Sequence, residues 1–267
     1  MKEKHIQQDF TYKNQKIRPF YLRYNPAMSN RQLTELFFSY FSYDNNISEN
    51  NIRSVINNLF LKYYPNEAVI KSAFINKVIS DGKTNVTVFE MPVNGSRIDL
   101  CKINGKSCAY EIKTDLDQLS RLNKQLNDYS KVFEEVYVVC SEKRVKEVVS
   151  CINESYGIYT YKKTNMGTYY FSKFRKYEKI GNLSPVAQLS TLTKQELLRY
   201  FQSDYADYKS NIISSLGADE INRVYKKILK DRYNNQWQFL KENMQNIQDI
   251  DYQFFFKYNI DPQLLYQ

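Results

Sequence analysis

Two Asn-Gly pairs, Asn94-Gly95 and Asn104-Gly105, constrain the fold of this chain more than any other feature. Such pairs favour the left-handed backbone of tight hairpin turns, and here they separate segments of period two. Val86, Val88 and Glu90 alternate with Thr87, Phe89 and Met91, and residues 97–103 and 106–113 continue the pattern. The expectation is a three-stranded antiparallel meander.

On both sides of the meander the period changes to that of a helix. Leu33, Leu36, Phe37, Tyr40 and Phe41 recur at helical spacing after Ser29 and Asn30, and Ile52, Val55, Ile56, Leu59 and Phe60 do so after Ser48. Asp44, Asn45 and Asn46 join the two, and helices packed on the following domain are favoured over a helix-turn-helix. A third helix is predicted over residues 67–79, through Ile70, Phe74 and Val78. After the meander, Thr114 is the predicted cap of a helix with the stripe Leu119, Leu122, Leu126, Tyr129 and Phe133. Residues 136–140 read as an apolar strand, 143–152 as a short helix, and 158–161 and 169–174 as later strands. Beyond Ser184-Pro185 long helical patterns return, ending in faces that carry Ile221, Tyr225, Ile228, Trp237 and Leu240. The expected fold class is α/β, with a helical region over residues 1–66, a core over 67–180 and a second helical region over 181–267.

Within the meander, charge appears where a sheet would normally place apolar groups. A two-residue turn at Asn94-Gly95 sets Glu90 opposite Asp99, and facing carboxylates repel unless a cation lies between them. For the second hairpin a three-residue loop, Ile103-Asn104-Gly105, separates the faces cleanly. Ile98, Leu100, Cys108, Tyr110 and Ile112 then share one side, and Asp99, Cys101, Ala109, Glu111 and Lys113 the other. Cys101 and Cys108 are thereby kept apart. Glu90, Asp99, Glu111 and Lys113 form one patch of hard oxygen donors and an ammonium, a set suited to Mg²⁺ or Mn²⁺ and to phosphodiester hydrolysis.

These residues resemble the PD-(D/E)XK nuclease superfamily. Asp99 followed by Glu111-Ile112-Lys113 matches its Asp…Glu-x-Lys motif, and Gln125 with Tyr129 matches the QxxxY motif of the RecB-like branch. The wider run through Arg97, Ile98, Leu100, Asp115, Asp117, Leu119, Arg121 and Leu122 is similar to a group of small bacterial members, over about residues 67–160. The resemblance implies a restriction-endonuclease-like core of order α-β-β-β-α-β between the two helical regions. It implies Asp99, Glu111 and the Ile112 carbonyl as metal ligands, with Lys113 handling the attacking water. Glu67 on the preceding helix and Glu90 compete for a further ligand position. Gln125 would contact DNA or the lysine region, and Arg97, Arg121, Lys124 and Tyr129 are candidates for nucleic-acid contact. The proline of the motif's name is absent, Ile98 preceding Asp99. Some RecB-like nucleases hold an iron–sulfur cluster through four cysteines flanking the core, whereas Cys101 and Cys108 lie inside the hairpin and Cys140 inside a strand, so no cluster is expected.

Composition narrows the alternatives. Seven scattered glycines among 267 residues provide no phosphate-binding loop, and His5 alone supports neither a His-based triad nor a multi-His zinc site. The cysteines Cys101, Cys108, Cys140 and Cys151 include no CxxC pair, the start shows no apolar leader, and no run is long enough to span a bilayer, which predicts a cytoplasmic location and no membrane partner. A net charge of +9, concentrated in the first two-thirds of the chain, suits a polyanion such as nucleic acid, and the nuclease resemblance implies DNA more than RNA. A silent nuclease-fold module that binds nucleic acid or a protein is the second reading, and the Tyr-rich C-terminal helices are a candidate assembly surface for a homo-oligomer or protein partner.

Overall fold

The computed structural model describes residues 15–42, 47–79, 85–178, 181, 183–202 and 208–266. Asp44, Asn45, Asn46 and His5 lie outside these residues. Helices α1 (residues 15–23), α2 (Asn30–Tyr40), α3 (Ile52–Tyr63) and α4 (Glu67–Phe74, continued by a π-turn over Ile75–Ile79) precede the strands β1 (Val86–Val93), β2 (Ser96–Asn104) and β3 (Lys106–Lys113). Then come α5 (Leu122–Ser130), β4 (Glu135–Ser141), α6 (Val145–Cys151), β5 (Gly157–Lys163) and β6 (Tyr169–Arg175). Helices α7 (Pro185–Ser190), α8 (Lys194–Phe201), α9 (Tyr208–Ser215), α10 (Ala218–Asn243), α11 (Tyr252–Tyr258) and α12 (Pro262–Leu265) complete the described chain. This is a mixed α/β protein. None of the described helices is long and apolar enough to cross a membrane.

The chain forms two compact units. The first gathers residues up to Ala73, Lys163–Tyr169 and Phe239 onward; the second holds residues 74–162 and 170–238. In the first, Ile17, Phe20, Leu33, Phe37, Phe60 and Phe255 are fully buried. Ser29 caps α2 through a capping box with Gln32. Asn51 stands at the start of α3, and its side chain turns back to accept the Ser48 N–H at 2.9 Å. Buried Arg53 donates to Asn30 Oδ1 at 2.7 Å and to the Pro26 and Leu265 carbonyls at 3.1 and 3.0 Å, so a guanidinium with several fixed acceptors joins α2, α3 and the C-terminal turn.

The second unit is built on a six-stranded sheet of order β1-β2-β3-β4-β5-β6. The β1–β2 and β2–β3 pairs are antiparallel, and β3–β4 and β4–β5 are parallel. Parallel neighbours require a crossover, which α5 and α6 supply. Helix α5 packs on β2 and β4, and β4 is apolar throughout its centre, with Val136, Val138 and Val139 fully buried.

Two local expectations change. At the second hairpin Asn104 pairs with Lys106 and Ile103 with Ser107, leaving Gly105 alone at the tip with φ 71°. The loop is thus shorter than the three residues expected, because two further pairs join the ladder. Lys226 of α10 donates to the Gly105 carbonyl at 2.7 Å, and Glu134 accepts the Ser107 N–H at 2.7 Å, pinning the tight tip. The shift is by an even number of positions in the pairing sum, so every side chain keeps its expected face. Thr114 does not cap α5: its N–H and hydroxyl both go to Asp117 Oδ2 at 2.7 Å, and the helix begins only at Leu122.

Candidate metal and nucleic-acid site

On the face of β2 and β3 covered by α5, strand parity and a helical i,i+4 pair converge. Asp99 and Glu111 continue the register in which Leu100 pairs with Tyr110, so both point to this face. Asp99 is buried, and its Oδ2 accepts the Ile112 N–H at 2.6 Å. Glu111 is 2% exposed, with one carboxylate oxygen 2.7 Å from the Lys113 ammonium and the other 2.8 Å from the Tyr129 hydroxyl. Lys113 also donates to Gln125 Oε1 at 3.2 Å. Gln125 and Tyr129, one turn apart on α5, therefore hold the two ends of the Glu111–Lys113 pair.

Tyr129 departs from its expected role. Its ring is fully buried, and its hydroxyl lies 2.7 Å from the Arg97 carbonyl as well as 2.8 Å from Glu111, so one proton serves two acceptors. A side chain enclosed this way is not a nucleic-acid contact; it orients Glu111. Burial and then the Glu111 charge push the hydroxyl's pKa far up, so it stays a donor.

Glu90 keeps the register set by Asn94-Gly95, flanked by the pairs Phe89–Leu100 and Met91–Ile98, but the ladder skips it and Asp99. Its φ is 56°, a left-handed conformation that costs a non-glycine residue on the order of 1–3 kcal/mol. A carboxylate oxygen of Glu90 nevertheless lies within 4.8 Å of one of Asp99. Arg97 forms an ion pair with Glu90 while its side chain stays 71% exposed. Glu67 opens α4 in the first unit and pairs with Lys71 one turn on.

Arg121 and Lys124 are exposed at the start of α5. Lys124 is engaged by Asp128 at 2.8 Å, and Asp128 also accepts from Ser96 at 2.7 Å. Burial alone would raise the Asp128 pKa, but these two donors outweigh it and hold the carboxyl below its ordinary value. Sequence reasoning missed Arg144, which donates to the Thr114 and Asp117 carbonyls at 2.6 and 2.7 Å and so fixes the loop between β3 and α5. No local pattern reveals it, since it arrives from the far end of β4. The spacing of Gln125 and Tyr129 did carry a signal, because four residues is one helical turn.

The donor set suits a hard divalent cation. Glu90 and Asp99 offer two carboxylate oxygens within 4.8 Å of each other, hard donors of the kind that Mg²⁺ and Mn²⁺ take.

A family model described as Bacteriophage P4 protein cII matches residues 62–254. Protein cII of Enterobacteria phage P4 is 28% identical over 145 residues, which cover 51% of this chain and 54% of that protein. The chain thus matches about half the length of this curated relative. A solved structure of a Silicibacter pomeroyi protein of unknown function aligns with a TM-score of 0.34 at 12% identity, covering 51% of this chain and 92% of that one.

Proposed function

Starting from a chain that belongs to the Bacteriophage P4 protein cII family, we propose that the α5-covered face of β2 and β3 is the site of a metal-dependent nuclease of the PD-(D/E)XK type. The observation that carries this reading is the placement of the Lys113 ammonium between Glu111 and Gln125 on the face that Asp99 shares. The order α4-β1-β2-β3-α5-β4 supports a restriction-endonuclease-like core of the RecB-like branch. Residues from three elements converge there, although they are separated in sequence.

Asp99, Glu111 and Glu90, with the Ile112 carbonyl, would hold Mg²⁺ or Mn²⁺, which when bound polarises a phosphoryl oxygen and acidifies a water. Lys113 orients the attacking water and offsets charge on the phosphate. Gln125 keeps the ammonium on station, and Tyr129 keeps Glu111 aimed. The exposed side chains of Arg121, Lys124 and Arg97 would meet the phosphates of DNA, in a protein of the cytoplasm. A strained backbone at Glu90 fits a ligand position, where strain is retained because the side chain must point inward.

One observation favours a silent nucleic-acid-binding module instead: both oxygens of Glu111 already have partners. Incubating the wild type and Lys113→Ala with linear, circular and single-stranded DNA, with and without Mg²⁺, separates the readings. Metal-dependent cleavage lost in the variant is expected. Cleavage that persists in EDTA and in the variant overturns the proposal, and absence of both cleavage and calorimetric Mn²⁺ binding assigns the silent module.

A further inference from the structure

Strand register carries the face of Glu111 and Lys113 across the whole sheet. These residues are level with Val138 and Cys140 on β4, which are level in turn with Ile158 and Thr160 on β5. The β5–β6 turn closes with the Thr164 N–H bonded to the Thr168 carbonyl at 2.9 Å, which sets Lys162 opposite Tyr170, Thr160 opposite Ser172 and Ile158 opposite Phe174. Ring contacts agree with this register on the opposite face, where Tyr161 meets Phe171 at 6.1 Å and Lys173 lies 5.1 Å from the Tyr159 ring. Tyr170 and Phe174 therefore share the face of the candidate site.

Their exposure is out of keeping with that of other rings in the sheet. Tyr110 and Tyr137 are buried against Phe74 and its neighbours, whereas Tyr170 is 62% and Phe174 57% exposed on the edge strand. From Gly157 to Tyr177 the chain carries five basic residues and no acidic one, and of those in the two strands Lys162 falls on the face of Tyr170 and Phe174. The two rings are about 13 Å apart along the strand, and β6 stands about 14 Å across the sheet from β3. Two exposed flat rings with the Lys162 ammonium on the same face suit a chain of unpaired bases joined by phosphates; a duplex hides its base faces and cannot use them.

We propose that Tyr170 and Phe174, with Lys162 beside them, form a stacking surface for single-stranded nucleic acid a few nucleotides from the site of cleavage. The surface deepens the nuclease reading and rests on it for its position relative to the cleaved bond, but its test does not require cleavage. Binding of a fluorescent oligothymidylate and of a labelled duplex to the full chain is measured by anisotropy in EDTA, for the wild type, Tyr170→Ala/Phe174→Ala and Tyr170→Phe/Phe174→Tyr. The alanine pair is expected to weaken single-strand binding about tenfold or more and to leave duplex binding within about twofold, while the aromatic pair restores it. Both rings are exposed, so the fold should survive, and a thermal melt checks this. Single-strand binding by the alanine pair within about twofold of wild type, or equal loss for both nucleic acids, overturns the proposal. So does a wild-type dimer in sedimentation that the alanine pair dissolves without changing binding. Stacking retained in a protein that never cleaves would remove the nuclease reading and leave the binding surface standing.

Discussion

Tyr129 shows how one buried hydroxyl orders a charged site. Its proton is divided between the Arg97 carbonyl and Glu111, while Lys113 holds the other Glu111 oxygen. Tyr129→Phe keeps the packing and removes the donor, leaving two buried acceptors one partner short. Unfolding in urea should show a loss of about 1–2 kcal/mol, and Mn²⁺ affinity should change because Glu111 is free to turn. An unchanged midpoint and unchanged affinity would show that the hydroxyl contributes nothing to either. The convergence of Asp99, Glu111 and Lys113 was legible because strand parity depends only on counting, and the even shift at the Gly105 hairpin left parity intact. The Gln125–Tyr129 pair was legible for the same reason on a helix. Burial of Tyr129 was not, since its second acceptor is a main-chain carbonyl whose position depends on how α5 meets β2.

Elements end where side chains compete for backbone groups, and this competition explains the local differences from expectation. Thr114 could cap a helix, but Asp117 three residues later captures both its N–H and its hydroxyl, so the chain runs as a loop until Leu122. The hairpin tip is decided from further away. Glu134 accepts from Ser107 at 2.7 Å, from Asn222 at 3.1 Å and from Lys226 at 3.0 Å, and Lys226 reaches on to the Gly105 carbonyl. Burial would raise the Glu134 pKa, yet these donors hold it below the ordinary value. Glu134→Ala strands a partly buried ammonium and an amide, and a loss of about 2 kcal/mol is expected in chemical denaturation. Amide exchange should quicken first at residues 103–108; uniform exchange across the sheet would mean the pin is not local. No reading of period or turn chemistry could have supplied this contact, because α10 lies more than a hundred residues downstream.

At the scale of the whole molecule, the two units carry titrating groups of opposite sense. In the first, Asp251 is buried between Tyr24, whose hydroxyl donates at 2.9 Å, and Tyr266, at 2.6 Å. Desolvation dominates these hydrogen bonds and the nearby Arg53 charge, raising its pKa to about 6. A carboxyl raised in the folded state binds its proton more tightly there than when unfolded. Its contribution is complete below the unfolded value near 4 and disappears as the pH rises through 6. In the second unit Glu134 and Glu196 are lowered despite burial, by donors that include Lys226 and Arg232, so their contribution is present above the unfolded value and is lost only in stronger acid. Between pH 7 and pH 5 the first unit should therefore gain about 1–2 kcal/mol while the second stays level. Hydrogen exchange resolved by segment can read the two responses in one sample: slower exchange at pH 5, after correction for the intrinsic rate, is expected around α1 to α3 and α11 and not in β1 to β5. Asp251→Asn carries no proton to gain, so the difference should vanish in that variant. A difference that persists there would place the titrating group elsewhere in the first unit.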